Sequence, residues 1–235
     1  MNTTIASRLQ KIEERIQQDC LACGRESSDV KLVAVSKKHS GTSVLEAYTL
    51  GLHHFGENYV QELNEKQSEL MSLEDIHWHF IGHLQRNKVA KVLSARPALI
   101  HSLDSPVLAL RIQEKCAELY PTQKQGILIE LRIGDEDGLK TGLPPDELPA
   151  MLETLEHCPH LDFQGLMIIP PLGRDPEASR PYFKQIRELR DSLAQKRNAP
   201  LPVLSFGMSD DFEIAIQEGA THIRIGTAIF GEREY

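Results

Sequence analysis

The sequence predicts a closed (β/α)8 barrel of the TIM type, and three features of the chain carry that prediction. Short apolar runs of the kind found in buried parallel strands begin at eight places along the 235 residues. Amphipathic stretches alternate with these runs, so that successive strands start roughly 20 to 40 residues apart, the interval that a β/α unit occupies. The length also fits, because such barrels commonly contain about 200 to 250 residues. A doubly wound open sheet is the alternative for the same alternation.

A helix is predicted ahead of the first strand. Ile5, Leu9, Ile12 and Ile16 recur at intervals of four, three and four residues, with charged and amide residues between them. This spacing places the four side chains on one face of a helix that ends near Gly24. The barrel is therefore expected to carry an extra amino-terminal helix.

The first β/α unit follows this helix. Residues 31–36 form a continuous apolar run rich in β-branched side chains, as expected of a strand buried on both faces. Ser43 and Glu46 have the spacing of a capping box, and Gly51 lies where a C-cap glycine belongs. These signals predict a helix over residues 43–50.

The later elements repeat this order, and no internal repeat, low-complexity tract or linker interrupts it. We therefore expect one domain over residues 1–235. The last strand run, residues 223–231, is expected to close near residue 225. The strands after the first are predicted to begin near His53, His77, Ala98, Gly126, Leu161, Pro202 and Thr221. The later helices are predicted to cover residues 59–71, 87–94, 106–119, 145–157, 177–196 and 210–217.

The composition limits the classes of function. Apolar residues make up 40% of the chain and charged residues 26%, as in ordinary globular proteins, which argues against a disordered or collagen-like chain. The net charge of −8 argues against nucleic acid or an anionic membrane as a partner, because both favour a basic surface. Residues 1–10 lack a signal-peptide pattern, and no stretch approaches the roughly 18 apolar residues of a membrane span. We expect a cytoplasmic protein with no membrane partner.

The four cysteines, Cys20, Cys23, Cys116 and Cys158, are too few and too scattered for a disulfide framework. Cys20 and Cys23 have the C-x-x-C spacing of redox and metal sites, but no second pair or neighbouring histidine accompanies them. Reduced thiols at a helix end are the favoured interpretation.

Glycine and hydroxyl residues follow the last two predicted strands. The carboxyl ends of the strands form the active face of such barrels, and phosphate often binds between the loops after strands seven and eight. Glycine lets backbone N–H groups approach an oxyanion, and hydroxyls donate further hydrogen bonds. Ser205, Gly207, Gly226 and Thr227 are therefore candidate phosphate ligands. The alternative is that the glycines serve tight turns and the hydroxyls cap helices.

Lys37 follows the first strand directly. Strand residues alternate between faces, so Lys37 shares the face of Val33 and Val35 and Lys38 does not. A desolvated lysine has a lowered pKa, and its neutral amine can form a Schiff base with a carbonyl. A Schiff-base lysine beside a phosphate site suggests pyridoxal phosphate. The alternative is that Lys37 reaches solvent or pairs with a carboxylate such as Glu57.

Six blocks of the sequence, in this order, closely resemble the pyridoxal phosphate homeostasis protein family. They cover nearly the whole chain, and the agreement of all six makes the resemblance specific. The blocks are AVSK at 34–37, FGENYVQE at 55–62, WHFIGHLQRNK at 78–88, GLMIIP at 165–170, SFGMSDD at 205–211 and IRIGTAIFG at 223–231.

The resemblance implies a barrel like the N-terminal domain of alanine racemase, with pyridoxal 5'-phosphate (PLP) held as an aldimine on Lys37. It places Arg224 at the pyridine nitrogen, where a permanently charged guanidinium weakens the ring as an electron sink. Asn58 would lie near the aldimine and the ring hydroxyl. The phosphate residues implied are Ser205, Gly207, Gly226 and Thr227, with Met208 and Ser209 flanking them.

The implied function is intracellular PLP (vitamin B6) homeostasis by a protein that binds PLP, does not act as an enzyme and transfers the cofactor to PLP-dependent apo-enzymes. We expect a monomer, because no long apolar surface stripe is left once the barrel is assigned. The alternative is an amino-acid racemase on the same cofactor. Alanine racemases take one catalytic tyrosine from an extra β-domain, for which the residues after Gly231 leave no room, and Tyr235 lies on a short tail. The chain departs from the family at His39 and Ser40, where a proline is common, and in the segment 140–142, where threonine replaces serine.

A metal-dependent barrel enzyme is a third class, motivated by several histidines near strands two and three. Alternating imidazoles on one strand can share a face. No recognisable ligand spacing joins them to carboxylates, so hydrogen-bonded or surface histidines are favoured. The residues concerned are His53, His54, His77, His79 and His83, with Glu57 and the segment 135–137 as carboxylate sources.

Overall fold

The computed structural model describes residues 4–134, 141–171 and 175–232, and these residues form the predicted closed barrel. Eight parallel strands pair in chain order within this part of the chain, and the first strand pairs with the eighth. Helices lie between successive strands on the outside. The barrel prediction is confirmed. The open-sheet alternative is wrong, because an open sheet has two unpaired edge strands, whereas here the first and eighth strands pair with each other.

All eight predicted strand starts lie within one residue of the observed ones. The strands are β1 (Lys31–Val35), β2 (His54–Glu57), β3 (His77–Phe80), β4 (Leu99–Leu103), β5 (Gln125–Leu131), β6 (Leu161–Ile168), β7 (Val203–Ser205) and β8 (His222–Ile225). The α-helices are α1 (Ile5–Ala22), α2 (Gly41–Thr49), α3 (Val60–Glu69), α4 (Val89–Ser94), α5 (Pro106–Leu119), α6 (Leu148–Glu156), α7 (Arg180–Arg197), α8 (Phe212–Gln217) and α9 (Thr227–Phe230).

Several helix starts differ from the prediction. The N-cap of α2 is Ser40, whose hydroxyl accepts a hydrogen bond from the Ser43 amide, so the predicted capping box at Ser43 is wrong. The helix begins at Gly41 because the Ser40 hydroxyl satisfies an amide of the first turn. Helices α4, α6 and α7 are each preceded by one turn of 3₁₀-helix, at residues 86–88, 145–147 and 176–179.

Strand β8 closes at Ile225, as predicted, but the apolar residues after it form α9, which the sequence analysis did not assign. Gly226 is the N-cap of this short helix, and Ile229 and Phe230 are buried by it. An apolar run of this length is buried equally well as strand or helix, so its pattern does not distinguish them.

Helix α1 covers one side of the barrel and packs against α8 and α9. Its predicted apolar face is confirmed, since Ile5, Leu9, Ile12 and Ile16 are all buried. The Arg8 guanidinium donates to the carbonyls of Ile229 and Phe230, at 2.7 and 3.0 Å. Because these are terminal carbonyls of α9, Arg8 ties that helix to α1.

The inside of the barrel has an apolar part and a polar part. A small cluster of Leu99, Leu128, Met167 and Val203 is separate from the core between strands and helices. Residues two positions further along these strands, on the same face, include His101 and Ser205, which bond to each other across the barrel. The cluster therefore lies inside the barrel, and polar groups lie above it toward the carboxyl ends of the strands.

No helix within residues 4–134, 141–171 and 175–232 combines the length and the hydropathy that crossing a bilayer requires.

Candidate functional site

A cavity of about 460 Å³ lies at the carboxyl ends of the strands, on the face where the sequence predicts the site. Residues after β1, β2, β3, β6, β7 and β8 contribute to its wall. The lining residues are Val35, Lys37, His39, Asn58, Ile81, Ile169, Met208, Ser209, Asp210, Arg224, Gly226 and Thr227.

Most of the predicted site residues meet in this cavity. Those that line it are Lys37, Asn58, Met208, Ser209, Arg224, Gly226 and Thr227. Ser205 and Gly207 are not part of the lining. The Ser205 hydroxyl is buried inside the barrel, where it bonds to Arg224 and His101. Ser205 lies beneath the cavity and supports the arginine, because its side chain alternates with that of Leu204 and faces inward.

Gly207 also supports the wall from behind. Its φ is +93°, and a Cβ there would lie 2.5 Å from the Cβ of Ala215. Its carbonyl accepts a hydrogen bond of 2.9 Å from the Arg224 amide. The glycine is needed for the close contact between this turn and α8, and for a backbone conformation that other residues rarely adopt.

Lys37 lies in the turn after β1, half-buried, while Lys38 is exposed. The turn is formed by a hydrogen bond from the His39 amide to the Ser36 carbonyl (3.0 Å) and has a left-handed residue at Lys38, with φ of 64°. The predicted alternation therefore places Lys37, and not Lys38, in the cavity wall. Ser40 caps α2 directly after the turn, so His39 and Ser40 form an ordered loop.

A buried ion pair supports this turn from below. The ammonium of Lys66, on α3, donates to the Ser36 carbonyl (2.7 Å), to Glu57 Oε1 (2.7 Å) and to Glu62 Oε2 (3.1 Å). Glu62 also accepts from the Lys38 amide at 2.6 Å. Burial raises the pKa of Glu57, and Lys66 and Ser36 oppose that effect. Lys66 thus holds the turn on both sides of Lys37.

Sequence reasoning missed Lys66, although a signal was present. Lys66 lies three residues after Leu63 and four before Leu70, both buried, so it occupies the apolar face of α3. A charged residue at such a position is almost never fully buried unless it is paired. The carboxylate that the sequence offered to Lys37, Glu57, is the partner of Lys66.

Arg224 forms the floor of the cavity, with only 5% of its surface exposed. Its Nη1 donates to the Ser205 hydroxyl at 2.7 Å, and its Nη2 donates to the Ile168 carbonyl at 3.1 Å. Burial lowers the pKa of Arg224 to about 10, and the carboxylates of Glu130 and Asp211 oppose the shift. The guanidinium therefore remains charged at neutral pH.

The loop before α8 and the first turn of α9 form a further part of the wall, and the start of α9 lies beside the end of β1. Asp211 fixes the loop, because one carboxylate oxygen accepts from the Met208 amide (2.7 Å) and the other from the Ser179 hydroxyl (2.9 Å). Gly226 and Thr227 begin α9, whose far end Arg8 holds. A hydroxyl and backbone amides at a helix start suit an anionic group.

Asn58, after β2, has a buried side-chain oxygen with no hydrogen-bond partner among the described residues. Its backbone passes close to Gly82, where a Cβ would lie 2.1 Å from the Asn58 carbonyl oxygen. A buried and unpaired amide oxygen is costly, so a ligand group in the cavity is its natural partner.

The histidines form hydrogen bonds and ring contacts with one another. His54, His79 and His101 bond in a row, and His77 stacks on His54 at 4.7 Å. His83, on the rim, pairs with Asp104 at 3.2 Å. Within the part of the chain that the structure describes, no three His, Cys, Asp or Glu side chains are placed to hold a metal ion. The predicted carboxylate segment 135–137 lies outside the described residues, as do Lys140 and Tyr235.

The C-x-x-C pair forms no disulfide. Cys20 is buried in α1 and Cys23 is exposed directly after it, and both are free thiols, as are Cys116 and Cys158. The two thiols lie at the end of α1, where the sequence analysis placed them.

The chain belongs to the alanine racemase class, because residues 8–234 match the family model for the alanine racemase N-terminal domain. Within that class, the chain belongs to the pyridoxal phosphate homeostasis protein family. It is 46% identical to the Aquifex aeolicus member over 97% of this chain and 98% of that protein. It is 40% identical to the Pseudomonas aeruginosa member over 99% of this chain and 97% of that protein.

A solved structure agrees with this assignment. PipY of Synechococcus elongatus is 37% identical, with 97% of this chain and 100% of PipY covered. The TM-score is 0.85 to PipY without PLP and 0.83 to PipY with PLP bound. The resemblance seen in the sequence is therefore confirmed at the level of family and fold.

Proposed function

We propose that this protein binds pyridoxal 5'-phosphate and acts in PLP homeostasis in the cytoplasm, as one domain over residues 1–235. The observation that carries the proposal is the cavity, whose lining brings together Lys37, Arg224 and the start of α9. Relatives at 40 to 46% identity are named pyridoxal phosphate homeostasis proteins, and PipY has been solved with PLP bound.

The residues present fit this cofactor. The cavity volume of about 460 Å³ is in the usual range for a small-molecule site. Ser209, Gly226 and Thr227 offer hydroxyls and amides for the phosphate, and the unpaired oxygen of Asn58 offers an acceptor. When bound, PLP supplies an aldehyde that reacts with amines and a ring that withdraws electrons. Lys37 would hold the aldehyde and Arg224 would face the ring nitrogen.

The arginine narrows the chemistry that the bound cofactor could support, without separating a carrier from a racemase. Arg224 keeps its charge because its pKa, lowered by burial to about 10, is still far above neutral pH. A charged guanidinium discourages protonation of a neighbouring ring nitrogen, and so it limits the ring as an electron sink. We infer a monomeric carrier that limits free PLP and transfers it to apo-enzymes through the open mouth of the barrel.

The decisive experiment is the visible absorption of the protein with PLP, before and after borohydride reduction. We expect the band of lysine-bound PLP in the wild type, its loss on reduction, and the cofactor mass fixed on the Lys37 peptide. Lys37→Ala should lose both the band and the fixed mass. Lys38→Ala is the matched control, since this neighbouring lysine is exposed outside the cavity, and it should behave like the wild type.

Two outcomes would overturn the proposal. A protein that stays colourless with PLP has no such site, and fixation on a different lysine would remove the role of Lys37. An amino-acid racemisation assay on the loaded protein tests the carrier role separately, and rapid racemisation would replace it with the enzyme alternative.

A further inference from the structure

A continuous row of hydrogen bonds runs through the barrel interior and ends beneath the cavity. His54 Nδ1 bonds to His79 Nε2 at 3.0 Å, and His79 Nδ1 bonds to His101 Nε2 at 2.9 Å. His101 Nδ1 bonds to the Ser205 hydroxyl at 2.8 Å, and that hydroxyl accepts from Arg224 at 2.7 Å. We refer to these three histidines with Ser205 as the imidazole row. It begins at the half-buried His54 and ends at Arg224.

The chemistry at its end gives the row a direction. A guanidinium only donates, so the Ser205 oxygen is an acceptor toward Arg224. The Ser205 proton is then available to His101 Nδ1, and among the described residues Ser205 has no other hydrogen-bond acceptor. A neutral imidazole that accepts at Nδ1 carries its proton on Nε2. The same order therefore continues from His101 to His79, and from His79 to His54.

Burial keeps the row neutral, as this order requires. The pKa values of His79 and His101 lie well below the ordinary range because both rings are desolvated. His222 lies beside them, with ring centres 5.8 and 6.2 Å away, and its own pKa is lowered to about 3 by burial. Arg224 and Lys31 contribute further positive charge that disfavours an imidazolium here.

We propose that Ser205, held in one rotamer by the imidazole row, is a positioning residue that fixes the Arg224 guanidinium at the cavity floor. The guanidinium is held at two points, by Ser205 and by the Ile168 carbonyl. Without Ser205, a single hydrogen bond would leave it free to turn about that contact. The row orients the arginine and does not conduct protons to it, since a guanidinium is a poor proton acceptor. The effect on the cofactor rests on the function proposed above.

The order of the row is tested without PLP, by NMR of the protein labelled with ¹⁵N in histidine at neutral pH. We expect His101, His79 and His54 as neutral rings with the proton on Nε2, assigned with single His→Asn variants. A proton on Nδ1 of His101 would overturn the inferred order of the row, because Ser205 would then accept from both His101 and Arg224 and its own proton would have no acceptor among the described residues. This measurement stands even where Ser205→Ala does not fold.

The consequence for Arg224 is tested by PLP titration of Ser205→Ala. We expect affinity to fall by about tenfold or more, as when one hydrogen bond to a charged group is lost, together with a shift of the absorption band. Ser102→Ala is the matched control: its buried hydroxyl has no partner among the described residues, and the variant should bind PLP like the wild type.

Unchanged affinity and an unchanged band in Ser205→Ala would overturn the positioning role. If the wild type itself does not bind PLP, the proposed function fails, while the NMR result still decides whether the row has the order inferred here.

Discussion

At the scale of single residues, the position of Asn58 depends on a glycine in the next β/α unit. Gly82 lies against the Asn58 backbone, where a Cβ would be 2.1 Å from the carbonyl oxygen and 2.7 Å from the Cα. Contacts this short are with backbone atoms, which cannot move aside as the end of a flexible side chain can. The glycine thus allows the segments after β2 and β3 to meet at the cavity wall.

We predict that Gly82→Ala weakens PLP binding by about tenfold or more, because the added methyl displaces Asn58 from the cavity. The measurement is a PLP titration followed by absorbance, with urea unfolding of the same variant. Gly24→Ala is the control: its φ is +71° but nothing lies near its Cβ position, so we expect about 1 kcal/mol of destabilisation and unchanged affinity. A Gly82→Ala protein with wild-type affinity would show that Asn58 does not serve the site.

At the scale of elements, the turn after β1 owes its position to α3. The Lys66 ammonium joins the Ser36 carbonyl to the carboxylates of Glu57 and Glu62, and Glu62 in turn holds the Lys38 amide. Lys37 itself lies between these attachment points. The shape of the turn therefore depends on an ion pair two elements away in the chain.

We predict that Lys66→Met destabilises the protein by about 3 to 5 kcal/mol, because Glu57 is left buried without its partner. It should also reduce the fixation of PLP on Lys37 after borohydride, since the turn loses its support. Urea unfolding and mass spectrometry measure the two effects. Lys184→Met, in an exposed pair with Glu188 at 3.9 Å, should change stability by less than about 0.5 kcal/mol.

A double variant separates stability from positioning. Lys66→Met with Glu57→Leu removes the unpaired buried charge, so most of the stability should return. PLP fixation should stay low, because the Lys66 ammonium that joined the Ser36 carbonyl to Glu62 is still missing. Full recovery of fixation in the double variant would contradict the supporting role of Lys66.

At the scale of the whole molecule, the barrel and the face of its cavity were predictable because both follow from local patterns. Strand starts are fixed by apolar runs and turns, and the residues directly after them must meet at one end of a parallel barrel. Lys37 and Thr227 were found in this way. Lys66 was missed, and Ser205 was placed in the cavity, because both bond to partners on distant elements. The imidazole row crosses from β2 to β7, and no local spacing reports such contacts.

The neutral imidazoles inside the barrel also give the stability of the whole molecule a pH dependence. Burial lowers the pKa of His54 to about 4 and of His222 to about 3, and those of His79 and His101 lie well below the ordinary range. In the unfolded chain each ring has a pKa near 6.5, about the usual value. Between pH 6.5 and about 4 the unfolded state therefore binds protons that the folded state does not. The free energy of unfolding falls as the pH falls through this window.

We predict a loss of up to about 1.4 kcal/mol per pH unit for each such histidine, measured by urea unfolding at pH 7, 6 and 5. Two buried carboxyls, Glu57 and Glu130, oppose it, because burial raises their pKa values and their folded forms take up protons on acidification. His222→Asn isolates the imidazole contribution: its packing cost is the same at every pH, so only the slope changes, and it should become shallower. His157→Asn, at an exposed position, should keep the wild-type slope. If the unfolding free energy of the wild type and of His222→Asn changed equally with pH, the His222 ring would not be held neutral in the folded protein. The desolvation that keeps the neighbouring imidazole row neutral would then be absent as well.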